Sequence, residues 1–391
     1  MKFFLVAFLF VFSLLSGDPV AVWLTWQKAP ESTMIVHWIT AKEETAKVEV
    51  SDKIFLRKKG ALDWLESEGA HANVPEGNPY LIHAIEYNGL EPGTLYEFKV
   101  GQQPYFFKTA PKCLDEPVTF VSGGDIYHDK VSVFENMNRV VAERDPLFVV
   151  IGGDIAYSCR KLDRRELFDR WLTWLASLSR SLVTKEGRLI PILPVIGNHE
   201  VIGKGLQKPS AAKMFYHLFG LQEEDGFRAV HFADYLSLYL LDSNHTHAVK
   251  GQQTEWLANE LKEKKDVPFK FASYHVPAYP AYRKYRGDTS KAIRQCWSPL
   301  FEAHKLTAAF EHHDHVYKRS FNIKADKKDP NGVLYIGDGA WGVDKPRVPK
   351  QSWYIAKSAA LRHILFITLK PGGSTLEAVG EDGKVFDAIT R

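Results

Sequence analysis

The sequence predicts an all-β sandwich at the N-terminus followed by a larger α/β domain built of β-α-β units. Three observations carry that reading. Residues 20–108 run in short alternating segments separated by turn residues, whereas after residue 117 apolar β-branched runs alternate with amphipathic helical ones. Five short stretches in the second part each place a metal-ligand side chain just after an apolar run, where ligands of such sheets bind. A chain of 391 residues, 45% apolar and 13% aromatic, is too long for one ordinary domain and rich enough for buried cores.

The chain opens with Lys2, an apolar stretch from Phe3 to Leu15 and the small pair Ser16-Gly17, the layout of a signal peptide over residues 1–17. With Leu14 or Leu15 at the inner cleavage position, an uncleaved N-terminal anchor stays as an alternative. No later segment reaches the ~20 apolar residues of a transmembrane helix. The expectation is therefore an exported protein, secreted or periplasmic, with no stable membrane span after signal removal.

Ala21–Trp26, Met34–Thr40, Lys47–Ser51 and His83–Tyr87 are the expected sandwich strands. A helical period appears only around Ala61–Glu68, within a charged segment, Ala61–Asn78, that reads as an insertion. From Leu90 to Val100 a turn leads into a strand whose Tyr96 can fold its hydroxyl back onto upstream backbone. This tyrosine corner resembles that of a fibronectin type III domain, here spanning 19–110. Pro111 and Pro117 bound a linker, 111–117, and the α/β domain occupies 118–391.

In that domain the expected strands are Val118–Ser122, Leu147–Ile151, Leu189–Ile196, Leu236–Leu241, Phe269–Ser273, Leu306–Phe310 and Val333–Ile336. Val131–Glu143 and Arg164–Leu178 are amphipathic, the second with Trp171, Trp174 and Leu175 on one side. Net charge is only +3, from 50 Lys+Arg against 47 Asp+Glu, so bulk electrostatics give nucleic-acid binding no support. Three cysteines, Cys113, Cys159 and Cys296, make no disulfide framework. They allow either one bridge with a free thiol or three reduced side chains.

The five stretches are Gly124-Asp125, Gly153-Asp154-Ile155-Ala156-Tyr157, Gly197-Asn198-His199-Glu200, Tyr274-His275 and His313-Asp314-His315. Together they supply ligands for two metal ions, and two ions about 3.5–4 Å apart are a recurrent device for cleaving phosphate esters. Asp154 and Tyr157 are close enough along one turn to grip the same ion, and a phenolate favours a hard, highly charged metal. Asn198 offers a carbonyl oxygen to a hard divalent ion. His199 points past the metals, free to donate a proton to a leaving oxygen, and Glu200 is expected to orient its imidazole. His313 and His315 alternate on an extended stretch and share a face. His245 and His247 lack a companion carboxylate motif and read as non-ligands, and Asp338 reads as a turn residue.

These motifs, in this order and spacing, resemble the purple acid phosphatases of the calcineurin-like metallophosphoesterase superfamily, over essentially the whole mature chain. Metallophosphoesterases commonly carry Asp-x-His in the first motif. Here Asp125-Ile126-Tyr127 stands there, with the Asp154-x-x-Tyr157 pattern of the purple enzymes. The resemblance implies an α/β domain of two sheets flanked by helices. It also implies Fe3+ held by Asp125, Asp154, Tyr157 and His315, and Fe2+, Zn2+ or Mn2+ held by Asp154, Asn198, His275 and His313.

The implied reaction is hydrolysis of a small phosphorylated substrate, most simply a monoester, by a metal-activated hydroxide in line at phosphorus with His199 assisting the leaving group. Alternatives are a diester, nucleotide or phospholipid head-group substrate on the same site, or a non-catalytic surface binding protein. Three positions depart from the pattern. His312 replaces the usual glycine before the His pair, Ala272 replaces a valine, and Tyr282–Arg286 replaces a loop that often carries a substrate-facing histidine. Lys284, Arg286 and His312 are therefore the expected substrate contacts.

Overall fold

The computed structural model describes residues 18–42, 52–75, 78–159, 165–203 and 205–391. The signal-peptide reading at 1–17 and the expected strand at 47–51 lie outside them, as does the first residue of the expected Arg164–Leu178 helix.

The N-terminal part contains β1 (Ala21–Thr25), β2 (Thr33–Ala41), β3 (Lys53–Lys58), β4 (Leu65–Glu68), β5 (Ala70–Asn73), β6 (Tyr80–Asn88), β7 (Leu95–Val100) and β8 (Gln103–Lys108). One sheet runs β4-β3-β7-β8, and the facing layer runs β1-β2-β6-β5. Ile54, Leu56, Phe98 and Phe107 of the first are buried in one cluster with Val22, Leu24, Val36 and Trp38 of the second. The tyrosine corner is present: the Glu91 N–H donates to the Tyr96 hydroxyl at 2.9 Å. The helical period at Ala61–Glu68 is overridden. Leu65–Glu68 pairs with β3 and Ala70–Asn73 with β6, so each sheet gains an edge strand. Ladder bonds plus the Lys53–Glu66 ion pair outweigh a weak local propensity.

The second part follows as β9 (Val118–Gly123), α1 (Ser132–Glu143), β10 (Val149–Ile151), α2 (Phe168–Ser181), β11 (Ile192–Pro194), α3 (Lys213–Leu218), β12 (Arg228–Phe232) and β13 (Leu236–Leu240). Next come α4 (Gln252–Glu263), β14 (Phe269–Ser273), α5 (Asp288–Cys296), α6 (Ser298–Ala303), β15 (Ala308–Glu311), β16 (Tyr317–Ser320), β17 (Ile323–Lys324), β18 (Lys327–Lys328) and β19 (Leu334–Gly337). The chain closes with β20 (Ile355–Ala359), β21 (His363–Lys370), β22 (Gly373–Gly380) and β23 (Val385–Thr390). Strands β9, β10 and β11 are parallel, as are β13, β14, β15 and β19. This is the α/β domain that the alternation of patterns predicts.

Its two sheets meet face to face through aromatic rings. Phe120 and Phe148 stack at 4.9 Å, and Phe120 stands edge-on to Phe271 at 5.6 Å and Phe310 at 6.1 Å. Helices cover the outer faces. Phe134, Met137, Trp171, Trp174 and Leu175 of α1 and α2 bury on one side; Leu257, Leu261, Ile293 and Phe301 of α4 to α6 bury on the other.

Two features were not read from the sequence. The C-terminal strands fold back so that β21 lies antiparallel to β9, and β22 and β23 continue that sheet. At its other side β11 pairs with β1 through Thr25 and Ile192, so one ten-stranded sheet, β23-β22-β21-β9-β10-β11-β1-β2-β6-β5, passes from the α/β part into the sandwich. Trp26 of the sandwich packs edge-on against Phe148 and Phe232, so the core is continuous across that seam. None of the three cysteines forms a disulfide among the described residues. Among the described residues no helix is long and apolar enough to cross a membrane.

Candidate metal centre

All five motifs meet where the carboxyl ends of the two parallel sets come together. Asp125 follows β9, Asp154 and Tyr157 follow β10, and Asn198 and His199 follow β11. His275 follows β14, and His313 and His315 follow β15. The backbone is bent to do this. Asp125, Asp154, Tyr157, His313 and His315 all have positive φ, between 49° and 75°, a conformation non-glycine residues hold only under tertiary constraint. Glycine makes the necessary room: a Cβ on Gly339 would collide with Asp125 Oδ2, and one on Gly197 with Asp154.

Two groups of donor atoms result. Asp125, Asp154 and His315 converge within 4.8 Å, and so do Asp154, His275 and His313. Asp154 belongs to both. In the first group His315 Nε2 lies 2.9 Å from Asp125 Oδ1, and the Tyr157 hydroxyl lies 3.2 Å from both. In the second, His275 Nε2 is 3.2 Å from Asp154 Oδ2, 3.2 Å from Asn198 Oδ1 and 3.0 Å from His313 Nδ1. The seven predicted ligands are thus brought together, and the donor set suits two cations sharing one carboxylate.

The electrostatics call for those cations. Asp125, Asp154 and His275 are fully buried. Burial opposes charge on Asp154, but His275 and His199 hold its carboxyl well below the usual range. Burial and the Asp125 and Asp154 carboxylates push the Tyr157 phenol well above its ordinary value, so a phenolate there needs a nearby cation. His275 is discouraged from charging by burial, yet Asp154 and Asp125 raise it to about 9. A cation would take over that proton's place, since His275 Nδ1 is fixed as the donor to the Gly152 carbonyl at 2.9 Å and leaves Nε2 for a metal.

His199 and Glu200 separate in role. The imidazole of His199 stacks on Tyr157 at 4.4 Å, with Nδ1 2.8 Å from the Cys159 carbonyl and Nε2 3.9 Å from Asp154 Oδ2. A carbonyl only accepts, so Nδ1 carries a proton and Nε2 faces the centre. Glu200, expected to orient this ring, does not touch it. It accepts N–H bonds from Asp154, Ile155 and Gly197 at 2.8–2.9 Å and so locks the two ligand loops to each other.

Two of the three expected substrate contacts, His312 and Arg286, have other surroundings. His312 is buried beneath the centre, its ring filling the space that the missing side chains of Gly124 and Gly152 leave. Lys284 is exposed. Arg286 lines a separate cleft of about 660 Å³ with Tyr285, Arg294 and Asp326 and none of the metal ligands. The loop is held there because the Tyr285 hydroxyl bonds Asp326 and its ring stacks 3.6 Å from the Arg294 guanidinium. His245 and His247 fall in neither donor group. Asp242 accepts the N–H groups of both, and His245 packs 5.6 Å from the His275 ring, kept neutral by burial that lowers it to about 4. Asp338 is more than a turn residue: it is buried near Lys318 and Glu311 and accepts the Ala281 N–H at 3.2 Å.

A different cleft, about 460 Å³, does abut the centre, lined by Tyr157 and His315 and by Tyr127, His128, Arg170, Lys345 and Arg347. Arg170 is engaged with Asp129 and the Tyr157 carbonyl. Arg347 donates its backbone N–H to the His315 carbonyl at 2.8 Å and lays its guanidinium over Tyr282, while its buried Nη1 has no hydrogen-bond partner among the described residues. Its sequence signal, a cationic pair in the Pro-containing turn Lys345-Pro346-Arg347, has no periodicity and no ligand-type residue.

Residues 103–317 match the family model of the calcineurin-like phosphoesterases, and residues 19–110 match that of the purple acid phosphatase N-terminal domain. A probable purple acid phosphatase of Arabidopsis thaliana is 23% identical over 72% of this chain and 66% of its own length. A purple acid phosphatase of Ipomoea batatas is 25% identical over 73% and 65%. The match therefore spans about two thirds of these relatives. In fold, a purple acid phosphatase from yellow lupin (Lupinus luteus) seeds superposes with a TM-score of 0.79 at 16% identity, covering 96% of this chain and 74% of that one.

Proposed function

The chain belongs to the calcineurin-like phosphoesterase family, in the branch with a purple acid phosphatase N-terminal domain, and from that premise we propose that it is a dinuclear-metal acid phosphatase acting on phosphate monoesters. The observation that carries this reading is Asp154, one buried carboxylate common to two converging donor groups. Asp125, Asp154, Tyr157 and His315 would hold Fe3+, as their three hard oxygens favour a highly charged ion. Asp154, Asn198, His275 and His313 would hold Fe2+, Zn2+ or Mn2+. Cations held by these residues would supply water activation and charge stabilisation at the phosphoryl group.

The chain's own groups do the rest. His199, with Nδ1–H held by the Cys159 carbonyl, can present a proton from Nε2 only when doubly protonated. Stacking on Tyr157 keeps that nitrogen aimed at the leaving oxygen. Glu200 keeps the Asp154 and Asn198 loops in register. The charged start of the chain and its apolar run from Phe3 support export.

Hydrolysis of p-nitrophenyl phosphate and of bis-p-nitrophenyl phosphate, before and after chelation and across pH, tests the reading. Chelator-sensitive, acid-favoured cleavage of the monoester is expected; no turnover by metal-loaded protein would overturn it. Diester cleavage on the same site is the second reading; Lys345 and Arg347 beside Tyr157 suit a substrate of either kind that carries a further anionic group, such as a nucleotide.

A further inference from the structure

A second convergence of ligand-type side chains lies in the sandwich, far in sequence from the dinuclear centre. Asp52, His71 and His83 bring donor atoms within 4.8 Å of one another. Asp52 Oδ2 is 2.8 Å from His71 Nδ1, and its Oδ1 is 2.8 Å from His83 Nδ1. His71 and His83 are directly paired across β5 and β6, which puts both rings on one face. The spacing resembles that of the dinuclear centre, where ligand pairs stand 2.9–3.2 Å apart. A tetrahedral ion with bonds of about 2.0–2.1 Å needs only slight opening of such pairs.

The outer contacts are also those of a metal site. His83 is wholly buried, stacked on Trp38 at 4.9 Å, with its other nitrogen, Nε2, 2.7 Å from the Thr40 hydroxyl. A hydroxyl both donates and accepts, so Nε2 can carry the proton and free the Nδ1 lone pair for a cation that displaces the hydrogen bond to Asp52. His71 is half-exposed, so the fourth position opens to water.

We propose that Asp52, His71 and His83 bind a third, structural divalent ion, with Zn2+ the best fit to two imidazoles and a carboxylate. Its position gives it a purpose. Asp52 immediately precedes β3 of the four-stranded sheet, whereas His71 and His83 belong to the ten-stranded one. The ion ties the two layers together at the edge. Sandwiches of the immunoglobulin type commonly do this with a disulfide, which residues 18–110, having no cysteine, cannot form.

The test is metal content. Full-length protein, its His71→Ala variant and its Asp52→Asn variant are dialysed against Zn2+, freed of loose metal by gel filtration and analysed by mass spectrometry. The expected result is one equivalent of zinc less in each variant, with p-nitrophenyl phosphate turnover unchanged. Equal zinc in all three proteins would overturn the site and leave a hydrogen-bonded triad. Zinc lost together with activity would overturn it as well, by placing the missing ion at the dinuclear centre.

Discussion

The two sheets contribute opposite chemistry to the centre between them. The ten-stranded sheet supplies every oxygen donor, Asp125, Asp154, Tyr157 and Asn198, whereas the seven-stranded sheet supplies only nitrogen, His275, His313 and His315. Oxygen on one wall and imidazole on the other means that neither sheet can hold an ion well alone. A bound ion would therefore be an inter-sheet bond as well. The His199 imidazole sits on the oxygen side, where the Tyr157 ring and the Cys159 carbonyl fix it.

The contrast makes ranked predictions. Asp154→Asn weakens the residue common to both groups; kcat/KM should fall roughly 10³-fold or more, and both ions should be lost together in metal analysis. Loss of one ion only would show that Asp154 is not shared. His199→Ala should lower kcat roughly 10²-fold while metal content stays intact, and metal loss equal to that of Asp154→Asn would make His199 a ligand instead. Glu200→Gln loosens the oxygen wall alone and should cost about 10–100-fold in activity, with metal affinity at the Asp154 sites falling in parallel. Arg347→Ala should raise KM a few-fold with kcat little changed, whereas Lys284→Ala and Arg286→Ala should leave both parameters as they were. A KM effect at Arg286 would return that residue, which lines another cleft, to the substrate contacts.

The centre was legible because its residue types are costly to place after apolar runs without a partner. Gly197-Asn198-His199-Glu200 puts three such groups in a row behind a buried strand. What the same stretch did not disclose was which partner each one finds: Glu200 bonds three backbone N–H groups rather than the neighbouring imidazole. Likewise the cations in Tyr282–Arg286 follow His275 closely in sequence. The Tyr285–Asp326 bond, formed across 41 residues, carries Arg286 into another cleft. Periodicity records local burial, so the runs that became β9, β10 and β14 could be read. Pairings of remote strands, β21 on β9 and β1 on β11, leave no local trace.

The seam between Thr25 and Ile192 bears on how such a protein can be taken apart. A sandwich tethered only by a linker could be exchanged or deleted as a module, leaving its neighbour whole. Here deletion would strip a partner strand from β11, whose following loop carries Asn198 and His199, and would uncover Phe148 and Phe232 where Trp26 packs. The N-terminal region is thus an architectural part of the α/β unit and not an interchangeable module.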